Sequence, residues 1–279
     1  MMMDIITGLI LIIIGIIAGG YGTIVGSGGG FIFVPALLLV FQMDPALAAG
    51  SGIVIVLINS LSGVVGYAKQ KRIHYHTGLK LATGAIPGSI LGVWLLQIYS
   101  SSYFYIIFAT ILVALGIFLF AKNSPFANLR KKKARQLGQE GTVKDEIAAT
   151  REEYAVLENA AHLPIAYILP IGFMMGVLSS YLGIGGGWLL VPILIYGFKV
   201  PTHIATATSI FSLTIYSSVG AISQIFYSSI DWQIVLWGGF GVLIGSQVGV
   251  LLSKKLPGKV ILQMLSVLLI IIGFRLYLS

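Results

Sequence analysis

The chain contains no cysteine, which excludes disulfides and thiolate metal sites. It is also poor in charge: Asp, Glu, Lys and Arg make up only 9% of its 279 residues, against 57% hydrophobic residues and a mean hydropathy of +0.97. A soluble core of this length could not absorb so much apolar surface, so the solvent must be mostly lipid. None of the glycine stretches ends in the GK[ST] that holds phosphate and Mg²⁺ in a nucleotide loop. Met1 to Asp4 lack the basic region of a signal peptide and no small-residue cleavage site follows, so the first apolar run is expected to persist. Nothing in the sequence calls for a cofactor or a bound metal.

The net charge of +8 does not form a basic face of the kind that binds nucleic acid. Fourteen of the 26 charged residues lie between Lys122 and Glu158, and most others punctuate short loops. That distribution is the bias of Lys and Arg towards the cytoplasmic side of a membrane. The expected surroundings are a lipid bilayer and no nucleic acid.

Apolar segments run from Ile5 to Gly20, Phe31 to Phe41, Ala46 to Ala68, Gly78 to Gln97 and Tyr103 to Ala121. They return from Leu163 to Tyr181, Trp188 to Phe198, Ile204 to Phe226, Ile234 to Leu252 and Val260 to Leu278. Many approach the ~20 residues that cross ~30 Å of hydrocarbon. An open strand edge in lipid would leave N–H and C=O groups unpaired, so the expected fold is all-α, a polytopic helical membrane protein.

The chain repeats itself at a constant offset of 157 residues. GSGGGFIFVPAL at Gly26 to Leu37 lies over GIGGGWLLVPIL at Gly183 to Leu194 without a gap. Gly63 falls on Gly220, Gly84 on Gly241, Gly88-Ser89 on Gly245-Ser246 and Gly92 on Gly249. Three parts follow: a first transmembrane repeat (1–121), a charged cytoplasmic linker (122–162) and a second repeat (163–279). The cluster Arg130 to Lys133 in the linker would attract anionic lipid.

Loop charges orient the halves. Lys69, Lys71 and Arg72 mark a cytoplasmic loop, whereas the aligned Phe226, Ser228 and Ser229 are uncharged. One loop later the asymmetry reverses, with uncharged Leu96 to Ser102 lying over a segment that holds Lys254, Lys255 and Lys259. Corresponding loops on opposite sides describe an inverted repeat of five crossings per half, with the linker inside and both termini outside. A rival count of eight spans would put Lys254 and Lys255 outside.

Each GxGGG stretch opens an apolar run too short to span, which reads as a discontinuous helix, and matching interruptions in two halves point to a transporter site. The N–H groups of Phe31, Ile32, Trp188 and Leu189 are expected to be free and, with the positive ends of the helix dipoles, to face an anion. Gly28, Gly29 and Gly30, with Gly185, Gly186 and Gly187, would let it approach the backbone. Helix packing is the alternative use of these glycines. Behind each short helix lies a polar face, with Thr202, Thr206, Ser209, Tyr216, Gly220 and Gln224 in the second half and Ser51, Asn59, Ser62 and Tyr67 in the first. Hydroxyls in a membrane helix commonly bond their own i−4 carbonyl, but the Asn59 amide cannot satisfy all its donors and acceptors that way. Thr206, Ser209, Tyr216 and Asn59 complete the expected substrate site. His203 is read as an interfacial histidine.

The paired GxGGG…VP motifs, with the polar region after them, resemble the sulfite exporter TauE/SafE family, and the likeness covers both halves. It implies a multi-pass transporter of the inner (plasma) membrane, not an enzyme, exporting a small anion such as sulfite, an organosulfonate or an organic acid by alternating access. Cation or proton coupling is left open, and a homo-oligomer is compatible with it. Two alternatives are a passive anion channel and an intramembrane serine hydrolase using Gly26-Ser27-Gly28 with His203 as base. Against the hydrolase, Ile184 stands where Ser27 should recur.

Overall fold

The computed structural model describes residues 5–99, 103–123, 165–227 and 230–277, and every regular element among them is a helix. In chain order these are α1 (Ile5–Val25), α2 (Gly30–Leu39), α3 (Pro45–Lys69), α4 (Tyr75–Ile98) and α5 (Tyr103–Asn123). Then come α6 (Ile165–Leu182), α7 (Gly187–Pro192), a π-helical turn (Ile193–Gly197), α8 (Thr202–Phe226), α9 (Trp232–Ser253) and α10 (Gly258–Tyr277). Six of them, α1, α3, α4, α8, α9 and α10, are long and apolar enough to cross a membrane. The expected linker lies outside the described residues except for Lys122 and Asn123.

Local chemistry sets the helix starts. Asp44 accepts from the N–H groups of Ala46 and Leu47 at 2.8 and 3.4 Å, with Pro45 pre-set for the first helical position of α3. Asp231 caps α9 in the same way, and His74 Nδ1 accepts from Thr77 N–H to begin α4. The N–H groups of His74 and Asp231 themselves donate to Thr208 Oγ and Ser51 Oγ at 3.0 and 2.9 Å, fastening α4 to α8 and α9 to α3. Ser51 of the first polar face is thereby a structural fastener, as is Thr208.

The halves are interleaved. Gly84, Gly88 and Gly92 of α4 sit against the carbonyls of Leu169, Phe173 and Val177 of α6, and Gly241, Gly245 and Gly249 of α9 against those of Ile12, Ile16 and Gly20 of α1. A methyl group at any of these six glycines would overlap the facing oxygen, so here the packing role of small residues holds. Residue numbers rise together in both pairs, which therefore run parallel, and the first helix of each half packs on the fourth of the other.

The repeat-equivalent helices α3 and α8 instead run antiparallel. A methyl group at Gly220 would lie 3.2 Å from Ile53, and one at Gly63 would lie 3.2 Å from Ile210. The pair α5 and α10 behaves likewise, Gly116 meeting Ile270 and Gly273 meeting Val113.

Charge divides between the two ends of the bundle. Gln70 Nε2 donates to the Val250 carbonyl at 3.2 Å, Gly258 abuts Thr202, and Lys122 Nζ lies 4.0 Å from the Tyr196 ring centroid. These contacts gather Lys69, Lys71, Arg72, Lys122, Lys199, Lys254, Lys255 and Lys259 at one end, where α5 ends and α6 begins. Asp44, Asp231 and Arg275 lie at the other. Around the sides, large apolar residues such as Ile13, Leu236 and Phe240 face outward, while Thr23, Asn59, Ser89 and Gln224 are fully buried. That is the distribution lipid demands.

Candidate functional site

The two glycine breaks meet at the centre of the α3–α8 pair. A methyl group on Gly28 would strike Leu213 and Val56, and one on Gly185 would come 3.0 Å from Val56 and 3.3 Å from Leu213. These are the same contacts seen from the two halves. Gly30 abuts Ile184, and Gly187 abuts Ser27. The chain can fold into this knot because Gly28 and Gly29 hold φ of +82° and +78°, values open to glycine and costly to other residues.

Gly28, Gly29, Gly30, Gly185, Gly186, Gly187, Phe31, Asn59, Trp188, Thr206, Ser209 and Tyr216 are all buried. The structure ties some of them together. Ser209 Oγ donates to the Gly26 carbonyl at 2.8 Å, and Gly186 N–H donates to Tyr216 Oη at 3.2 Å, so α8 reaches both breaks. Thr206 lies against Gly26, but its hydroxyl is used on the His203 carbonyl of its own helix at 3.0 Å, the local bonding weighed from sequence. Asn59 Oδ1 accepts from Thr23 Oγ at 3.1 Å.

The expected set of four free main-chain donors needs correction. Ile32 N–H donates to the Gly29 carbonyl at 3.1 Å and Leu189 N–H to the Gly186 carbonyl at 3.2 Å, because each short helix opens with a tight i→i−3 turn. The N–H groups of Phe31 and Trp188 have no such acceptor among the described residues. The run from Trp188 to Phe198 also differs from its mate, since α7 passes into a π-helical turn at Ile193 where α2 stays α-helical. Pro35 and Pro192 each withhold an N–H from the carbonyl four residues back, so neither short helix is fully bonded.

Several buried polar atoms lack partners. Among the described residues Trp188 Nε1, Asn59 Nδ2 and both amide atoms of Gln224 have none, and all three side chains are 0% exposed. Trp188 Nε1 is a donor and nothing else, so only an acceptor can satisfy it.

Two clusters went unread in the sequence. Thr23 Oγ lies 3.1 Å from Ser246 Oγ, which donates to the Asn59 carbonyl at 3.2 Å. The repeat-related Ser180 and Ser89 hydroxyls are hydrogen-bonded to each other, and Ser89 donates to the Tyr216 carbonyl at 3.0 Å. The signal that could have found them was the recurrence of Gly88-Ser89 as Gly245-Ser246 inside the glycine frame.

Among the described residues, no base is paired with Ser27. Its Oγ donates to the Gly22 carbonyl at 3.5 Å, and no histidine is among its hydrogen-bond partners. Ser27→Ala should retain anion flux within about threefold of the native protein, since one weak neutral bond is lost; a flux assay in proteoliposomes checks this, and a serine-directed probe should leave the native protein unlabelled.

Known proteins give the same answer as the breaks. The family model described as sulfite exporter TauE/SafE matches residues 11–276. The chain is similar to the probable membrane transporter protein YunE of Bacillus subtilis, 31% identical over 277 residues that cover 96% of each chain. A probable membrane transporter protein of Methanocaldococcus jannaschii is 26% identical over 95% of this chain and 93% of its own. YjnA of Bacillus subtilis, another probable membrane transporter protein, is 24% identical over 89% and 90%. No solved structure matches. A match that spans both breaks and all ten helices places the chain in the sulfite exporter TauE/SafE family, as a multi-pass membrane transporter.

Proposed function

We propose that the protein exports a small anion, sulfite or a related organosulfonate or organic acid, across the plasma membrane by alternating access of its two repeats. The observation that carries the reading is Trp188: an indole N–H at the second break, fully buried, with no acceptor among the described residues. A buried donor left unpaired costs roughly 1–3 kcal/mol, which an anion at the break would recover. Asn59 Nδ2 can supply a further donor. The N–H groups of Phe31 and Trp188 add the positive ends of two short helical segments. The tight burial of the paired breaks favours an occluded carrier over an open channel. Proteoliposomes loaded with sulfite, sulfate, sulfoacetate or acetate, with and without a pH gradient, test the reading; indifference to all four would end it, and flux at channel-like rates would favour the passive alternative.

We further infer an inverted repeat with the basic end in the cytoplasm. The antiparallel run of α3 and α8, and the gathering of basic residues where α5 ends, support it. The chain has no cysteine of its own, so single cysteines report cleanly. Cysteines replacing Tyr99 or Trp232 should react with an impermeant maleimide in intact cells, whereas those replacing Lys71 or Lys255 should react only after lysis. Labelling of Lys255→Cys from outside would return the halves to parallel orientation.

A further inference from the structure

We propose that Thr23 Oγ, Asn59 Oδ1, the Asn59 main-chain carbonyl and Ser246 Oγ form a sodium-ion site beside the first glycine break. The four oxygens come from α1, α3 and α9, so both halves contribute. Thr23 Oγ lies 3.1 Å from both Asn59 Oδ1 and Ser246 Oγ, and Ser246 Oγ lies 3.2 Å from the Asn59 carbonyl. Three oxygen–oxygen contacts must therefore share two hydroxyl protons. If Thr23 donates to the amide and Ser246 to the carbonyl, the two hydroxyl oxygens face each other with no hydrogen between them. All three residues are 0% exposed, which keeps bulk water from relieving the shortage. A cation among the oxygens relieves it directly.

Charge and size select the ion. Thr23 lies in the last turn of α1, where the negative end of the helix dipole favours a positive charge. Ends of half-helices at breaks of this kind hold coupling cations in transporters built from repeats. The ligand set is neutral, which suits a monovalent ion. Its spacing is that of neighbouring oxygens around an ion held at ~2.3–2.6 Å, the range for calcium, which sodium nearly equals in radius. The other half lacks an equivalent site. Ser180, Ser89 and the Tyr216 carbonyl repeat three of the oxygens, but a phenol replaces the amide and its oxygen accepts from Gly186 N–H. One cation site near the first break and unpaired donors near the second would let sodium and anion bias the same rearrangement; that coupling role rests on the anion-transport reading, whereas the binding itself does not.

The test is thermal unfolding of the purified full-length protein in sodium, potassium or N-methylglucamine gluconate at constant ionic strength, with the same anion in every arm. Sodium should raise the Tm saturably and potassium should not. Ser246→Ala and Thr23→Val should each raise the half-saturating sodium concentration by about tenfold or more, while Thr23→Ser, which keeps the oxygen, should titrate like the native protein. Equal Tm in sodium and potassium for the native protein overturns the proposal, even where a variant fails to fold. So does sodium stabilisation that survives unchanged in Ser246→Ala and Thr23→Val. Failure of the anion reading would leave these titrations untouched, so the two ideas fail separately.

Discussion

Gly29→Val and Gly187→Val should each abolish anion flux. At Gly29 the backbone holds φ of +78°, and a Cβ would lie 2.6 Å from the Ala18 carbonyl oxygen. The left-handed conformation costs a non-glycine residue roughly 1–2 kcal/mol, and overpacking adds about 1–3 kcal/mol. At Gly187 the added carbon would overlap the Gly26 carbonyl oxygen and come within 2.8 Å of Ser209 Oγ and Ser27 Cα, pushing the two breaks apart. The nearest contact at each position is a backbone carbonyl oxygen, which cannot rotate away. Gly186→Ala supplies the contrast. Its backbone is in the ordinary right-handed region, and its Cβ would press on the Tyr216 hydroxyl at 2.7 Å, so flux should fall with membrane abundance kept. The measurement is flux divided by membrane abundance for all three variants. Full flux at normal abundance in Gly187→Val would show that the contact between the breaks does not matter for transport.

Trp188→Phe should weaken the anion and leave the fold at least as stable. Phe31 occupies the equivalent position in the first half, so a phenyl ring is an accepted occupant. The substitution deletes a buried N–H that has no partner among the described residues, which removes a desolvation cost from the folded state. If that N–H meets the anion, its loss forfeits a bond to a charged group worth about 1.5–3 kcal/mol, or roughly tenfold to a hundredfold in affinity. Stability and affinity therefore move in opposite or unrelated directions, which no packing defect would produce. Half-saturation of flux and thermal unfolding, measured side by side, check both signs. Unchanged anion affinity would move the site away from the indole.

The helices were legible in the sequence because lipid leaves only one way to pair backbone groups within a segment. The run Ala46 to Ala68 became α3, Pro45–Lys69, and Ile234 to Leu252 became α9, Trp232–Ser253. The first run was set too short. It ends at Gly20, whereas α1 continues to Val25, with Gly20 packed on α9 and Gly22 against Gly28 and Gly29 of the break. The π-helical turn after Pro192 was also unread, as Pro35 stands in the same frame and its helix stays regular.

The candidate site was legible as a pair of breaks and illegible as a set of bonds. A duplicated GxGGG is visible in one dimension, since glycine runs are costly in helices and two in register need a common cause. Which N–H groups remain free depends on how each short helix closes its first turn, and Ile32 and Leu189 lost theirs to carbonyls three residues back.

What the sequence determined by itself was periodic or additive: lipid as solvent, all-helical elements, the 157-residue duplication, and the loop charges whose asymmetry reverses between halves. What only the tertiary structure decided was partnership. α1 packs on α9 and α6 on α4, the halves exchange neighbours, and Thr23 meets Ser246 across 223 positions of chain. Apolar faces of different helices are interchangeable to a reading of composition. They become specific only when glycine stripes, carbonyls and hydroxyls are brought to within a few ångströms, where a single Cβ or a single missing proton decides what fits.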